Sequence, residues 1–282
     1  MKILITGAQG MLGRDIIDVA KAGGYEVIAT DRDTLDITDE HTVRSFVERE
    51  QPKLIINTAA YNLVDKVEDP AIYPLAFAVN STGPGNLAKA AKDMGAALVH
   101  YSTDYVFAGD KPEGYLETDD TNPISKYGET KAAGEEAVLS AGVHAYVCRL
   151  SKIFGRPGLS EGSKESFVAL MLRLAKEKPL LKIVDEEVGC PTYTKDIAMA
   201  TKSMLERMTV PGVYHMVNSG EGVTWYGFAK EFFEISGVTT PYEAVPSSAF
   251  PRDAKAPKFA ALLNTKLPAL RPRVDALKDF LG

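Results

Sequence analysis

The chain has only two cysteines in 282 residues, Cys148 and Cys190, and they form no CxxC. That scarcity excludes a disulfide scaffold and a cysteine zinc site, and it suits a reducing compartment. Its four histidines (His41, His100, His144 and His215) are scattered, with no HExxH and no HxxxH pair, so no metal site is expected. No apolar run approaches the ~18 residues that a bilayer span requires. The first strand is expected at Lys2, which leaves no room for a signal peptide. A cytoplasmic protein with no membrane partner is therefore expected. An excess of basic residues is missing too: 32 Lys and Arg stand against 38 Asp and Glu, a net charge of −6. Nucleic acid is not the expected partner, because neutralising phosphates needs a cationic face. What is present, 45% apolar and 25% charged residues, is the composition of a globular chain. Its length fits one large domain or a domain with an attached lobe.

Short apolar runs alternate with helical patterns through the first 150 residues. Strands are expected at 2–6, 26–30, 54–57, 97–101 and 145–149, and helices at 11–22, 39–49, 80–94 and 125–141. Gly23-Gly24 and Gly95 mark helix ends, and Pro52 bars continuation of the second helix. The strand runs are continuously apolar, the mark of strands covered by helices on both faces. Repeated βα units of this kind imply an α/β fold with a doubly wound parallel sheet. Beyond residue 150 the rhythm loosens. A helix is expected at 164–177, short strands at 180–184 and 213–217, and a loop-rich tail at 241–272 with six of the 16 prolines. The reading is a sheet domain over 1–150, rejoined by about 186–218, and a smaller C-terminal lobe made of 151–185 and 219–282. A last helix bearing Val274, Leu277 and Leu281 is suited to packing at home or on a partner.

Gly7-Ala-Gln-Gly10-Met-Leu-Gly13 lies directly between the first strand and the first helix. Glycines there permit a tight turn, close backbone approach to a pyrophosphate, and helix–strand packing. The helix N-terminus adds free N–H groups and partial positive charge. A Rossmann-like dinucleotide site is expected, with Gly7, Gln9, Gly10, Met11 and Leu12 against the coenzyme. Asp31 ends the second strand, 18 residues after Gly13, where an acid holds the adenosine ribose. Arg32 beside it suits a 2′-phosphate, so NADH and NADPH both stay open. Asp36 and Ile37 are placed either to flank the adenine or to make a plain turn before the next helix. Asn57-Thr-Ala-Ala-Tyr61 puts Ala59, Ala60 and Tyr61 where a coenzyme passes close to backbone. Asn80 is placed to orient its helix or a water, or simply to cap the helix.

Ligands of doubly wound sheets bind at the carboxyl ends of strands. The fourth strand ends in Ser102-Thr-Asp-Tyr105, and the next helix carries Tyr127-Gly-Glu-Thr-Lys131. That spacing sets a phenol and an ammonium on one helix face. A second pair, Tyr226 and Lys230, falls in the irregular half and reads as structural. The first set supports hydride transfer from a nicotinamide to a ketone. Tyr127 would protonate the oxygen, and Thr103 would hydrogen-bond the growing charge. Lys131 and the coenzyme's positive charge would lower the phenol's pKa from about 10. Ser102, Tyr127 and Lys131 join the coenzyme set.

Together these motifs resemble the extended short-chain dehydrogenase/reductase superfamily and, over nearly the whole chain, the dTDP-4-dehydrorhamnose reductase family. The likeness is carried by the glycine loop, Leu35-Asp-Ile-Thr38, residues 57–61, Val64-Asp65, Ser102-Thr-Asp-Tyr-Val-Phe107, residues 127–131, Gly189-Cys-Pro-Thr-Tyr193 and Trp225-Tyr-Gly-Phe-Ala229. The resemblance implies NADPH or NADH as hydride donor, a 4-keto deoxysugar nucleotide as substrate, a homodimer, and Mg2+ in some members. The family's catalytic Thr, Tyr and Lys fall on Thr103, Tyr127 and Lys131, and its sugar-contacting positions on Asp104 and Tyr105. The departures lie on the substrate side. Lys152 stands where the family commonly has a stacking Trp, and Glu187 where it has Gln. Ala256 and Ala260 stand where a late motif carries Arg and Ser, with Lys255 and Lys258 close by. Intact chemistry beside a changed pocket keeps two other readings open: reduction of a different keto-sugar nucleotide, or a non-catalytic nucleotide-binding regulatory subunit. An epimerase or dehydratase of the superfamily is disfavoured, because dehydratases place an acid pair after the Thr and here Asp104 is followed by Tyr105.

Overall fold

A computed structural model describes residues 1–160, 163 and 165–282. The first half runs β1 (Lys2–Thr6), α1 (Met11–Ala22), β2 (Glu26–Thr30), α2 (Glu40–Glu50), β3 (Leu54–Asn57), α3 (Tyr73–Phe77), α4 (Gly83–Asp93), β4 (Ala97–Thr103), α5 (Lys126–Ser140) and β5 (Ala145–Leu150). The second half adds β6 (Ile153–Phe154), α6 (Phe167–Glu177), β7 (Leu181–Val184), β8 (Thr192–Tyr193), α7 (Thr194–Glu206), β9 (Gly212–His215), β10 (Asn218–Ser219), α8 (Trp225–Ser236), β11 (Tyr242–Val245), β12 (Leu270–Pro272) and α9 (Arg273–Leu281).

Six parallel strands form the main sheet in the order β2-β1-β3-β4-β5-β9. The apolar strand runs are explained by burial on both faces: Leu4, Ile5, Ile55, Leu98 and Val147 have no exposed surface. Each such side chain contributes roughly 1.5–3 kcal/mol. α1 and α7 cover one face through Ile16, Ile197 and Met204. α2, α4 and α5 cover the other through Val43, Leu87 and Val138. The chain turns to opposite sides after β1 and after β3, so a crevice opens between their carboxyl ends.

The helix expected at 80–94 starts earlier, at Tyr73, where Pro74 occupies its first turn. It passes through a π-turn over Ala78–Thr82 before continuing as α4. Pro84 explains the irregularity, since it has no N–H to donate to the carbonyl one turn back. The helix expected at 164–177 is α6, capped by Ser166, whose Oγ accepts from Ala169 N at 3.3 Å; Lys164 lies outside the described residues. The segment at 213–217 contributes β9 to the main sheet, and the neighbouring β10 pairs with β12.

A second core, of Phe154, Phe228, Phe232, Phe233 and Leu277, lies among α6, α8, α9, β7 and β11. α9 therefore packs at home through Leu277, and only Val274 of its apolar positions stands open.

Candidate active site

The turn after β1 and the loop after β3 meet closely. Gly7 has φ +69, and a Cβ there would lie 2.5 Å from Ala59 N. α1 starts with no side-chain cap and no acid in its first turn, so no side chain competes with an anion for its first N–H groups. Leu12 turns its side chain into the core, leaving its N–H as the group it has to offer. Both oxygens of Asp31 accept from Gln9 N at 3.2 Å. Burial raises the Asp31 pKa while this hydrogen bond opposes it. Arg32 is exposed beside it. Asp36 Oδ1 accepts from Thr38 N at 2.9 Å, and Ile37 buries its side chain against Gly83.

Buried Asn80 neither caps its helix nor stands free. Its Oδ1 accepts from Tyr61 N at 2.8 Å, and its Nδ2 donates to Tyr61 O and to Thr130 Oγ1, both at 3.0 Å. Asn57 Oδ1 accepts from Thr6 Oγ1 at 2.7 Å and from Ala59 N at 3.1 Å. The loop bearing Ala59, Ala60 and Tyr61 is thus fixed at both ends. The Ser102 hydroxyl is buried and finds no hydrogen-bond partner among the described residues.

Ser125 starts α5 by accepting from Gly128 N at 3.1 Å, which puts Tyr127 in the first turn and Lys131 one turn on. Gly128 lets α5 approach the end of β4, since a Cβ there would lie 2.3 Å from Tyr105 O. Tyr127 and Thr103 line one cavity of about 180 Å3 together with Asp104, Tyr105, Lys152 and Glu187. Asp104 is buried; it accepts from Thr103 Oγ1 at 3.0 Å and from Ser151 Oγ at 2.5 Å. Ser151 Oγ in turn accepts from Cys190 N at 2.9 Å, joining the strand end to the Gly189-Cys-Pro-Thr stretch. Burial raises the Asp104 pKa against the pull of Ser151, Lys152 and Thr103.

Burial also pushes the Tyr127 phenol well above its ordinary value; Asp104 and Tyr105 add to this, and Thr103 opposes it. Lys131 is not among the groups that set the phenol. Its Nζ donates to Tyr101 O at 2.7 Å, and burial brings its own pKa down to about 8 while Glu135 opposes. In the protein alone, desolvation outweighs the neighbouring charge at the phenol, which holds its proton more firmly than a free tyrosine does.

On the substrate side, Lys152 Nζ donates to Glu187 O at 2.5 Å and lies 3.9 Å from the Trp225 ring centroid. A larger, mainly apolar cleft of about 950 Å3 shares Glu187, Trp225 and Ala256 with the cavity and extends past Met171 and Phe250. Arg252 and Lys255 give it positive charge. Lys258 lines neither space and lies over the Phe259 ring. Sequence reasoning missed Arg252, whose Nε donates to Asp65 Oδ1 at 3.1 Å and whose charge acts on the nearby Tyr105. Burial pushes the Tyr105 pKa up to about 12, with Arg252 opposing. The available signal was the row of cations at 252, 255 and 258 in the proline-rich tail. Tyr226 packs on Tyr242, and Lys230 is exposed, away from the cavity. Among the described residues no group of three or more His, Cys, Asp or Glu is gathered for a metal.

The profile of the RmlD substrate binding domain family matches residues 1–275. A dTDP-4-dehydrorhamnose reductase of Mycolicibacterium smegmatis is 41% identical, over 100% of this chain and 85% of the relative. The solved structure of a dTDP-4-dehydrorhamnose reductase from Clostridium acetobutylicum superposes with a TM-score of 0.93 at 38% identity, covering 100% of this chain and 98% of the other. The enzyme of that name from Bacillus anthracis, in complex with NADP, gives 0.92 at 32% identity, covering 99% and 98%. Alike over its length in sequence and in fold, the chain belongs to the dTDP-4-dehydrorhamnose reductase family of NAD(P)-dependent oxidoreductases.

Proposed function

We propose that this protein reduces the 4-keto group of dTDP-4-dehydrorhamnose with NADPH or NADH, giving dTDP-L-rhamnose. The observation that carries the reading is the pairing of Thr103 and Tyr127 on the wall of one cavity that joins a nucleotide-sized cleft. The bound nicotinamide supplies the hydride. The coenzyme pyrophosphate is received by Gly7, Gln9, Gly10 and the N–H groups of Met11 and Leu12. The open start of α1 fits this role. Asp31 and Arg32 face the adenosine ribose, while Ala59, Ala60, Tyr61 and Ser102 flank the path toward the cavity. Tyr127 gives its proton to the carbonyl oxygen as the carbon becomes tetrahedral, and the Thr103 hydroxyl hydrogen-bonds that oxygen. Lys131 supplies positive charge beneath the site.

Asp104 and Tyr105 meet the sugar, with Lys152 and Glu187 on the same cavity wall. Arg252 and Lys255 suit the diphosphate, Arg252 by its forked guanidinium. A cytoplasmic homodimer belongs to the same reading. The free, buried Cys148 and Cys190 suit a reducing compartment. No helix among the described residues is long and apolar enough to cross a membrane.

The test is coenzyme oxidation by the purified protein with dTDP-4-dehydrorhamnose, run beside other keto-sugar nucleotides. Tyr127→Phe is expected to lower kcat by about 10²–10⁴-fold, the usual worth of a positioned general acid. Retention of the parent rate by that variant removes Tyr127 from the mechanism. Turnover confined to another keto-sugar overturns the substrate assignment.

A further inference from the structure

Lys152 has φ +44, a left-handed backbone that residues with side chains rarely adopt. Gly189 makes room for its stem, because a Cβ there would lie 2.7 Å from Lys152 Cε. From this constrained stem the ammonium enters a closed ring of contacts. It donates to the Glu187 carbonyl at 2.5 Å and lies 3.9 Å from the centre of the Trp225 ring, while Trp225 Nε1 donates to Glu187 Oε2 at 2.9 Å. All three residues line the cavity that holds Thr103 and Tyr127.

An ammonium carries three N–H donors. The Glu187 carbonyl takes one, the indole face satisfies the charge from another side, and Nζ has no further hydrogen-bond acceptor among the described residues. We propose that Lys152, locked in place by Glu187 and Trp225, is a specificity-determining residue whose remaining N–H donates to an oxygen of the sugar ring or its hydroxyls. This rests on the cavity's being the sugar site of the proposed reductase. A buried donor left unpaired penalises any ligand that lacks the matching oxygen. Burial brings the Lys152 pKa down to about 8, while Asp104, Glu187 and Cys190 hold it up, so the group is charged at neutral pH.

Trp225 is the sole tryptophan, and its fluorescence reads this ring of contacts without turnover. The full chain is titrated with dTDP and, separately, with dTDP-L-rhamnose. Two variants are compared with the parent: Lys152→Met removes the donor, and Gly189→Ala keeps the lysine but displaces its stem. With unchanged near-UV circular dichroism in either variant, dTDP affinity is expected to stay within about twofold while dTDP-L-rhamnose affinity falls about tenfold or more, as loss of one hydrogen bond to a charged group implies. An equal loss for both ligands assigns Lys152 to the diphosphate and overturns the proposal; undiminished dTDP-L-rhamnose affinity also overturns it. If the parent binds neither ligand, the reductase reading fails first and the proposal fails with it.

Discussion

Tyr127 and Lys131 lie one turn apart on α5, and burial moves their pKa values in opposite directions. The phenol is pushed up and the amine down to about 8. Desolvation disfavours charge of either sign, so the phenol keeps its proton more firmly and the ammonium loses its own more readily. As pH rises through about 8, Lys131 becomes neutral while Tyr127 is still protonated. The alkaline fall in kcat should therefore belong to the lysine. In pH–rate profiles of coenzyme oxidation, kcat is expected to decline with a midpoint near 8, and Lys131→Met should lower it roughly 10²-fold and flatten that limb. Lys152, also lowered to about 8, bears on substrate binding and places its limb in KM. A kcat limb that persists in Lys131→Met assigns it elsewhere. The Tyr–Lys pair was legible because four residues on a helix fix relative placement. The depth of the pair and the acceptor that the amine reaches were not, because both depend on how the helix packs on β4. The cation row marks Arg252 in the sequence, but its pairing was hidden for a related reason: Asp65 lies 187 residues away.

Strands β1, β3, β4 and β5 were readable because burial on both faces leaves a continuous apolar run. The π-turn before α4 leaves no such trace. Its effect on packing nevertheless makes one glycine indispensable and a neighbouring one replaceable. A Cβ at Gly134 on α5 would lie 2.1 Å from Asn80 O, a backbone atom of that π-turn. A Cβ at Gly85 on α4 would meet only the Ala137 Cβ, at 3.4 Å. Gly134→Ala should push α5 away from the segment that holds Tyr61, at a cost of about 1–3 kcal/mol. Gly85→Ala should be near neutral or stabilising by up to ~1 kcal/mol, since alanine favours helix. Thermal melts of both variants check this, and kcat should fall more than KM rises for Gly134→Ala, because Tyr127 rides on the same helix. Equal melts for the two variants would mean that the π-turn yields freely. In a sequence both glycines look alike, as small residues within helical patterns.

At the scale of the whole molecule, the sheet and the lobe are interleaved and do not simply follow one another. β9 returns to the sheet beside β5, and the tail that follows α8 is fastened next to it. His215 Nδ1 donates to Leu263 O at 3.0 Å, and Glu117 accepts from Thr265 N at 2.9 Å and from Thr265 Oγ1 at 2.7 Å. This lacing depends on contacts far apart in sequence, which composition does not register. Burial lowers the His215 pKa, with Arg149 adding to it and Glu117 opposing; burial and Lys131 lower that of His100. Both histidines are neutral in the fold, whereas in the unfolded chain they titrate near ~6.5. Below that pH the unfolded form binds more protons, so stability falls as pH falls, by at most ~1.4 kcal/mol per pH unit for each histidine. Asp104, whose pKa is raised, works in the opposite direction nearer its own titration. The urea midpoint is therefore expected to drop between about pH 7 and pH 5, and His215→Gln should make that drop shallower. Because the lacing ties lobe to sheet, Trp225 fluorescence from the lobe and far-UV circular dichroism from the whole chain should trace the same transition at each pH. Separated curves, with the fluorescence change coming first in acid, would show that the lobe comes loose while the sheet stands, and that His215 fastens only the tail.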